Sequence, residues 1–167
     1  MLVKEKIGNL ELFAINNRNI DYVLLDWYET NKRILHKKTV LGRDISMKFL
    51  NENPQLGVGD IVYEDDFSLI AIDIKECDAI VIRPASMYEM AAVCYEIGNK
   101  HLPLFYQDEE IVVAYEVPLF ALLTAGGYNI EQAKRKLIQP LKTTVTPHGS
   151  SSNSLFNRIM KLTTDPE

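Results

Sequence analysis

At Lys75 the chain changes from one apolar pattern to another, and that change constrains its fold more than any single motif. Before it, short runs rich in Ile, Leu, Val and Tyr follow one another: LVKEKI, DYVLLDW, RILHKKTV, DISMKFL, DIVYE and LIAIDI. Between them LGRD, NENPQLGVGD and EDDFS supply the Gly, Pro, Asn and Asp that turns require. Ile45, Met47 and Phe49 alternate with polar neighbours, as on a half-buried strand. Successive short strands without a helix predict a small β-sandwich or barrel over residues 1–75.

After Lys75 the order becomes strand, helix, strand, strand, helix. CDAIVIRP reads as a strand stopped by Pro84. Ser86 and Glu89 then form a capping box, and Met87, Met90, Ala91, Cys94 and Ile97 make an apolar stripe of helical period. Gly98 and Asn99, which tolerate left-handed backbone, should end that helix. HLPLFYQ and EIVVAYE read as strands meeting at Asp108 and Glu109. Pro118 suits a first helical turn, with Leu119, Leu122 and Leu123 on one face and Gly126-Gly127 as the stop. YNIEQAKRKLIQP is the ambiguous segment. Propensity over Glu131 to Leu137 favours a helix, whereas the split β-α-β topology needs a fourth strand; the strand is the expectation adopted for 128–139.

The expected fold is therefore α+β: an all-β domain over 1–75, a βαββαβ domain over 76–142 and a flexible tail over 143–167. The tail contains the Pro, Gly and Ser-rich TTVTPHGSSSNS. Its closing LFNRIMKL places Leu155, Phe156, Ile159 and Met160 at helical spacing but is too short to be a stable helix alone.

The hydrophobic fraction of 47% suffices for a core, and no apolar run approaches the roughly 20 residues that span a bilayer. The N-terminus does not read as a secretory signal, and Cys77 and Cys94, in no CxxC arrangement, look like reduced, buried thiols; a cytoplasmic protein is expected. A net charge of -5 argues against nucleic acid as the main partner.

Phosphate loops, HExxH and nucleophile elbows are absent from the sequence, so no enzyme is expected. GVGD at 57–60 reads as a turn. Asp60, Glu64, Asp65 and Asp66 could hold a hard cation, with Asp60 and Glu64 on one strand face, although Asp65-Asp66 suit a solvated turn better. His36, among basic residues, reads as a surface strand residue. His101 and His148 complete the three histidines, and neither has a second histidine at i+2 or i+4. A lone imidazole holds a transition metal weakly, but near the axis of a symmetric dimer one His101 per chain becomes two ligands. A tail histidine could complete such a site, and imidazole suits Ni, Cu or Zn.

DWYETNKRILHKKTVLGRDISMKF, GDIVYEDDFSLIAI, MAAVCYEIGNKHLPL and EEIVVAYE, in that order over roughly residues 21–126, make the chain resemble the UreE family of urease accessory nickel chaperones. The most specific piece is EIGNKH, which matches the family's Gly-Asn-Arg/Lys-His motif. The resemblance implies a β N-terminal domain that meets protein partners and a ferredoxin-like C-terminal domain, which favours the fourth strand. It implies a homodimer whose paired His101 residues bind nickel, leaves open whether dimers pair further into a tetramer, and gives His148 of TPH the part of an added tail ligand. Zn or Cu would also bind in vitro. No histidine follows His148, so storage by a histidine-rich tail is not expected. The partners implied are urease accessory proteins including the GTPase UreG, and apo-urease, with no nucleic acid and no membrane. The alternatives kept beside this reading are a non-metal protein-interaction adaptor and an oxygen-ligated metal hydrolase using Asp60 and Glu64.

Overall fold

A computed structural model describes residues 1–50, 53–138 and 140–141. The expectations for the tail, including His148, therefore fall outside the described residues. The first seven strands are β1 (Leu2–Val3), β2 (Gly8–Asn9), β3 (Asn19–Leu25), β4 (Ile34–Lys38), β5 (Asp44–Lys48), β6 (Asp60–Glu64) and β7 (Ser68–Ile74). They form two sheets, in the orders β1-β5-β4 and β2-β6-β7-β3. Alternation sends Leu35, Ile45 and Met47 from one sheet against Val23, Leu25, Ile70 and Ile72 from the other, giving the expected sandwich.

One buried carboxylate ties this sandwich together. Asp21 on β3 is 2% exposed and accepts hydrogen bonds from the backbone N–H of Tyr22 (2.8 Å) and Leu41 (3.1 Å) and from Nε of Arg43 (2.9 Å). Arg43 also donates to Ser68 Oγ at 3.1 Å. The carboxylate thus clamps the β4–β5 turn, where Gly42 takes φ +84°, onto the other sheet.

The second half comprises β8 (Glu76–Ile82), α1 (Met87–Asn99), β9 (Phe105–Gln107), β10 (Glu110–Ala114), α2 (Val117–Ala125) and β11 (Ile130–Lys136). The sheet order is β11-β8-β10-β9, antiparallel throughout, which is the ferredoxin-like arrangement. Segment 130–136 is a strand despite its helix-forming composition. All seven of its residues pair with β8, and Lys134 reaches Asp78 at 2.9 Å. Tertiary pairing outweighs propensity, and a charge-rich strand is well suited to an exposed sheet edge. Asp108 and Glu109, with φ of 51° and 63°, make the tight β9–β10 turn.

Helix α1 begins as expected, with Ser86 Oγ accepting from Glu89 N, although the Glu89 carboxylate reaches the backbone N–H of Ala85 rather than that of Ser86. Its buried face differs from the expected stripe. Val93 and Ile97 are buried, with Met90 and Cys94 partly buried beside them, while Met87 is 84% exposed and Ala91 faces out. In α2, Leu119 and Leu123 are buried but Leu122 is exposed.

Both helices cover one face of the sheet, over Ile80, Ile82, Ile111 and Val113. The other face presents Ala79, Val81, Phe105, Val112 and Leu137, and Trp27 packs against them. The sequence suggests that the two halves share little core; Trp27 is the exception. It lies not at a strand end but in a 3-10 turn (Trp27–Glu29), with its ring 5.6 Å from that of Phe105, edge to face. Lys136 Nζ to Asp73 Oδ2 at 2.7 Å adds an ion pair across the halves. No helix among the described residues is long and apolar enough to cross a membrane.

Burial raises the Asp21 carboxyl, but hydrogen bonds from Thr39, Leu41, Arg43 and Tyr22 outweigh it and hold the group below its ordinary value. Glu29 is depressed in the same way by Lys37, the backbone and Lys32 against its own burial. A depressed folded value adds stability above the unfolded one and loses it as pH falls through the folded one. Denaturant midpoints should therefore be flat near neutrality and fall below about pH 4. Asp21→Asn should lower stability by about 1–3 kcal/mol at pH 7, because Arg43 loses its anion and an N–H is left facing a donor. The same substitution should flatten the acid limb.

Candidate metal centre

The local structure around His101 follows from how α1 stops. The helix continues through Gly98 and Asn99, so neither takes the left-handed turn expected of them. His101 takes it, at φ +55°. Its N–H donates to the Gly98 carbonyl (3.0 Å), and the N–H of Leu102 donates to the Ile97 carbonyl (3.3 Å). This pair of bonds is the Schellman motif, with His101 at the position that usually holds glycine. Helix α2 ends with the same bonds, Gly127 to Thr124 and Tyr128 to Leu123, but there Gly127 supplies the φ of +74°.

The motif projects His101 from the exposed end of α1. The C-terminal end of a helix carries partial negative charge, which favours a bound cation. Among the described residues no group of three or more His, Cys, Asp or Glu is placed to hold a metal ion. Among the described residues His101 thus stands as a candidate ligand without a companion cluster.

Two neighbouring features bear on what could complete a site. Along α1, Tyr88 (82% exposed), Ala91, Tyr95 (69% exposed) and Gly98 follow at helical spacing and form an uncharged outward face that runs to the His101 end. The second feature is the course of the chain after β11. Pro140 bridges Phe105 in antiparallel sense, and Leu141 N–H donates to the Leu104 carbonyl at 2.7 Å. At Leu141 the backbone therefore runs from Phe105 back toward His101. His148 lies seven residues further on, a stretch that can span up to about 25 Å.

The other candidates do not come together. Asp60 is 6% exposed and is taken up by Lys6 Nζ (3.1 Å), Asn9 Nδ2 (3.1 Å) and the Gly57 N–H (2.7 Å). Glu64 pairs with Arg18 at 2.8 Å, and Asp65 accepts from the N–H groups of Phe67 and Ser68. A bulge between Ile61 and Tyr63 breaks the alternation that would align Asp60 with Glu64. His36 bonds Ser46 Oγ across the strand at 2.8 Å, as a surface strand residue. Burial pushes the thiols of Cys77 and Cys94 up, helped at Cys77 by Asp78, which disfavours the thiolate a metal needs. Sequence reasoning passed over Leu102 and the Tyr88–Tyr95 face. Their signals were the leucine three places after the helix stop at Asn99 and a second stripe of helical period.

Comparison with known proteins agrees with this architecture. Residues 3–75 match the family model described as UreE urease accessory protein, N-terminal domain, and residues 78–151 match that of its C-terminal domain. A urease accessory protein UreE from Flavobacterium johnsoniae is 45% identical over 163 residues, 97% of this chain and 99% of the relative. One from Halalkalibacterium halodurans is 40% identical over 142 residues, 85% and 94% of the two chains. One from Haemophilus influenzae is 39% identical over 145 residues, 84% of this chain and 78% of the relative.

A non-glycine residue held in left-handed backbone is strained by about 1–3 kcal/mol, toward the low end for histidine. His101→Gly should therefore leave the denaturant midpoint unchanged or raise it slightly. His101→Val, β-branched at the same φ, should lower it. A large loss of stability in the glycine variant would mean that the imidazole itself holds the fold.

Proposed function

The chain belongs to the UreE urease accessory protein family, and on that footing we propose that it is a nickel-binding metallochaperone serving urease maturation. Its cargo is nickel, held between two copies of the chain by His101 from each, with His148 of the tail as an added ligand. Zn or Cu would occupy the same imidazoles in vitro. The observation that carries this reading is the left-handed cap, which holds the imidazole at the exposed end of α1. The uncharged Tyr88–Tyr95 face beside it suits contact with a second copy, and two-fold symmetry would pair the histidines. Residues 1–75 serve as the partner-binding unit and 76–142 as the metal-binding and dimerisation unit. The partners are the GTPase UreG, other urease accessory proteins and apo-urease, in the cytoplasm. The protein carries metal to an enzyme and is not one itself.

Isothermal titration of the metal-free protein should give about one tight nickel ion per dimer. His101→Ala should abolish tight binding while dimerisation and folding persist. Nickel binding that survives the substitution at one ion per chain would overturn the interface site and favour an adaptor role. Coordination requires neutral imidazole, so affinity should fall in acid.

Ordering a tail residue opposes binding by about 1–2 kcal/mol, so His148 should add only modest net affinity. Truncation before Pro147 should weaken nickel binding and leave both the site and the dimer. Complete loss of binding would make the tail the primary site.

A further inference from the structure

Between the sandwich and the second face of the ferredoxin-like sheet lies a groove of about 620 Å³. Trp27, Leu56 and Ile74 form one wall, and Phe105, Leu137 and Leu141 the other. None of the described residues lining it is charged, in a chain that is 25% charged. Its rim leaves large apolar side chains uncovered: Tyr28 is 57% exposed, Ile138 40% and Leu141 56%. A surface of this kind is built to be covered.

We propose that this groove holds the apolar face of the chain's own C-terminal segment, Leu155, Phe156, Ile159 and Met160. The chain leads there of itself, since Pro140 and Leu141, the last described residues, already form part of the wall. The segment therefore starts tethered at the groove, and closing the 13 intervening residues (142–154) adds only a slowly growing entropic penalty. Leu155, Phe156, Ile159 and Met160 fall at helical spacing on one side, leaving Asn157, Arg158 and Lys161 for solvent. So short a helix does not persist in water alone, and it needs such a surface to form.

One consequence rests on the nickel reading. His148 lies seven residues after Leu141 and seven before Leu155. In the proposed docking His148 would be tethered on both sides, at Leu141 and at Leu155, rather than on one. Pro103, two residues past His101, lines the same groove. The second tether raises the local concentration of His148 at His101 relative to a free tail.

Trp27 is the chain's single tryptophan and lines the groove, so it reports occupancy directly. In the metal-free full-length protein, tryptophan emission and acrylamide quenching would be compared with a Leu155→Ser/Phe156→Ser/Ile159→Ser variant. The expected result is a red-shifted emission and a higher quenching constant in the variant. Rim variants Tyr28→Ser and Ile138→Ser, at exposed positions, should make residues 155–160 more sensitive to protease. Unchanged Trp27 quenching in the triple variant overturns the proposal. So does shielding that disappears on dilution below the dimer range, which would mean a second copy's tail fills the groove. Nickel titration of the triple variant separates the two readings. A Trp27 response without loss of nickel affinity keeps the docking and removes its link to His148. Loss of affinity without a Trp27 response removes the docking and leaves the tail ligand.

Discussion

Ile97 and Leu102 hold the candidate site in place. Ile97 is 1% exposed in the cluster beneath α1, and Leu102, five residues on, packs into the same cluster. The chain has to leave the helix and return to the core within that span. It does so through the left-handed turn at His101, locked by the Leu102 N–H on the Ile97 carbonyl. The magnitudes decide which effect wins. Burying two such side chains is worth up to about 6 kcal/mol. Holding one non-glycine residue at positive φ opposes it by about 1–3 kcal/mol. Core packing therefore sets where the imidazole stands, and the imidazole has little part in the packing.

A second constraint is that β8 is buried on both faces. Ile80 and Ile82 lie under the helices, and Ala79 and Val81 face the opposite way with Val112 and Phe105. A sheet covered by helices on one side leaves that second face needing cover. Trp27 supplies part of it, and the Lys136–Asp73 ion pair fixes the approach of the sandwich. The uncovered remainder is the groove. The arrangement of the two halves and the presence of the groove thus have one origin, the apolar second face of a single sheet.

Much of this was legible in the sequence because it rests on local chemistry. Ser86 with Glu89, Pro118 at a helix start, the Asp108-Glu109 turn and the change of pattern at Lys75 each carry their cause within a few residues. What was not legible depends on distant partners. Segment 130–136 has helix-forming residues, and only pairing with β8 makes it a strand. Val62 breaks an alternation that its own neighbours do not betray. Met87 and Val93 exchange places in the expected burial of α1 because the sheet beneath selects the face. At the helix end the sequence pointed to Gly98-Asn99, the residues most tolerant of positive φ. The position is set instead by where Leu102 must land, and so it falls on His101.

That displacement bears on what kind of metal site this chain can build. A structural site closes four ligands around the ion from rigid elements of one domain. Here one candidate ligand, His101, stands at an exposed helix end, with no companion cluster among the described residues. In the proposed reading every further ligand belongs to another copy or to the tail, so coordination depends on contacts that form and separate without unfolding either domain. Release then requires only that a partner displace the arm or reach the open side of the ion, and the Ile97–Leu102 clasp stays shut throughout. A glycine at position 101 would make the better helix cap, and the chain carries the strained histidine there. The energy lost in the cap is small because the clasp supplies it, and in the proposed reading the imidazole gains a fixed place from which a metal can be taken.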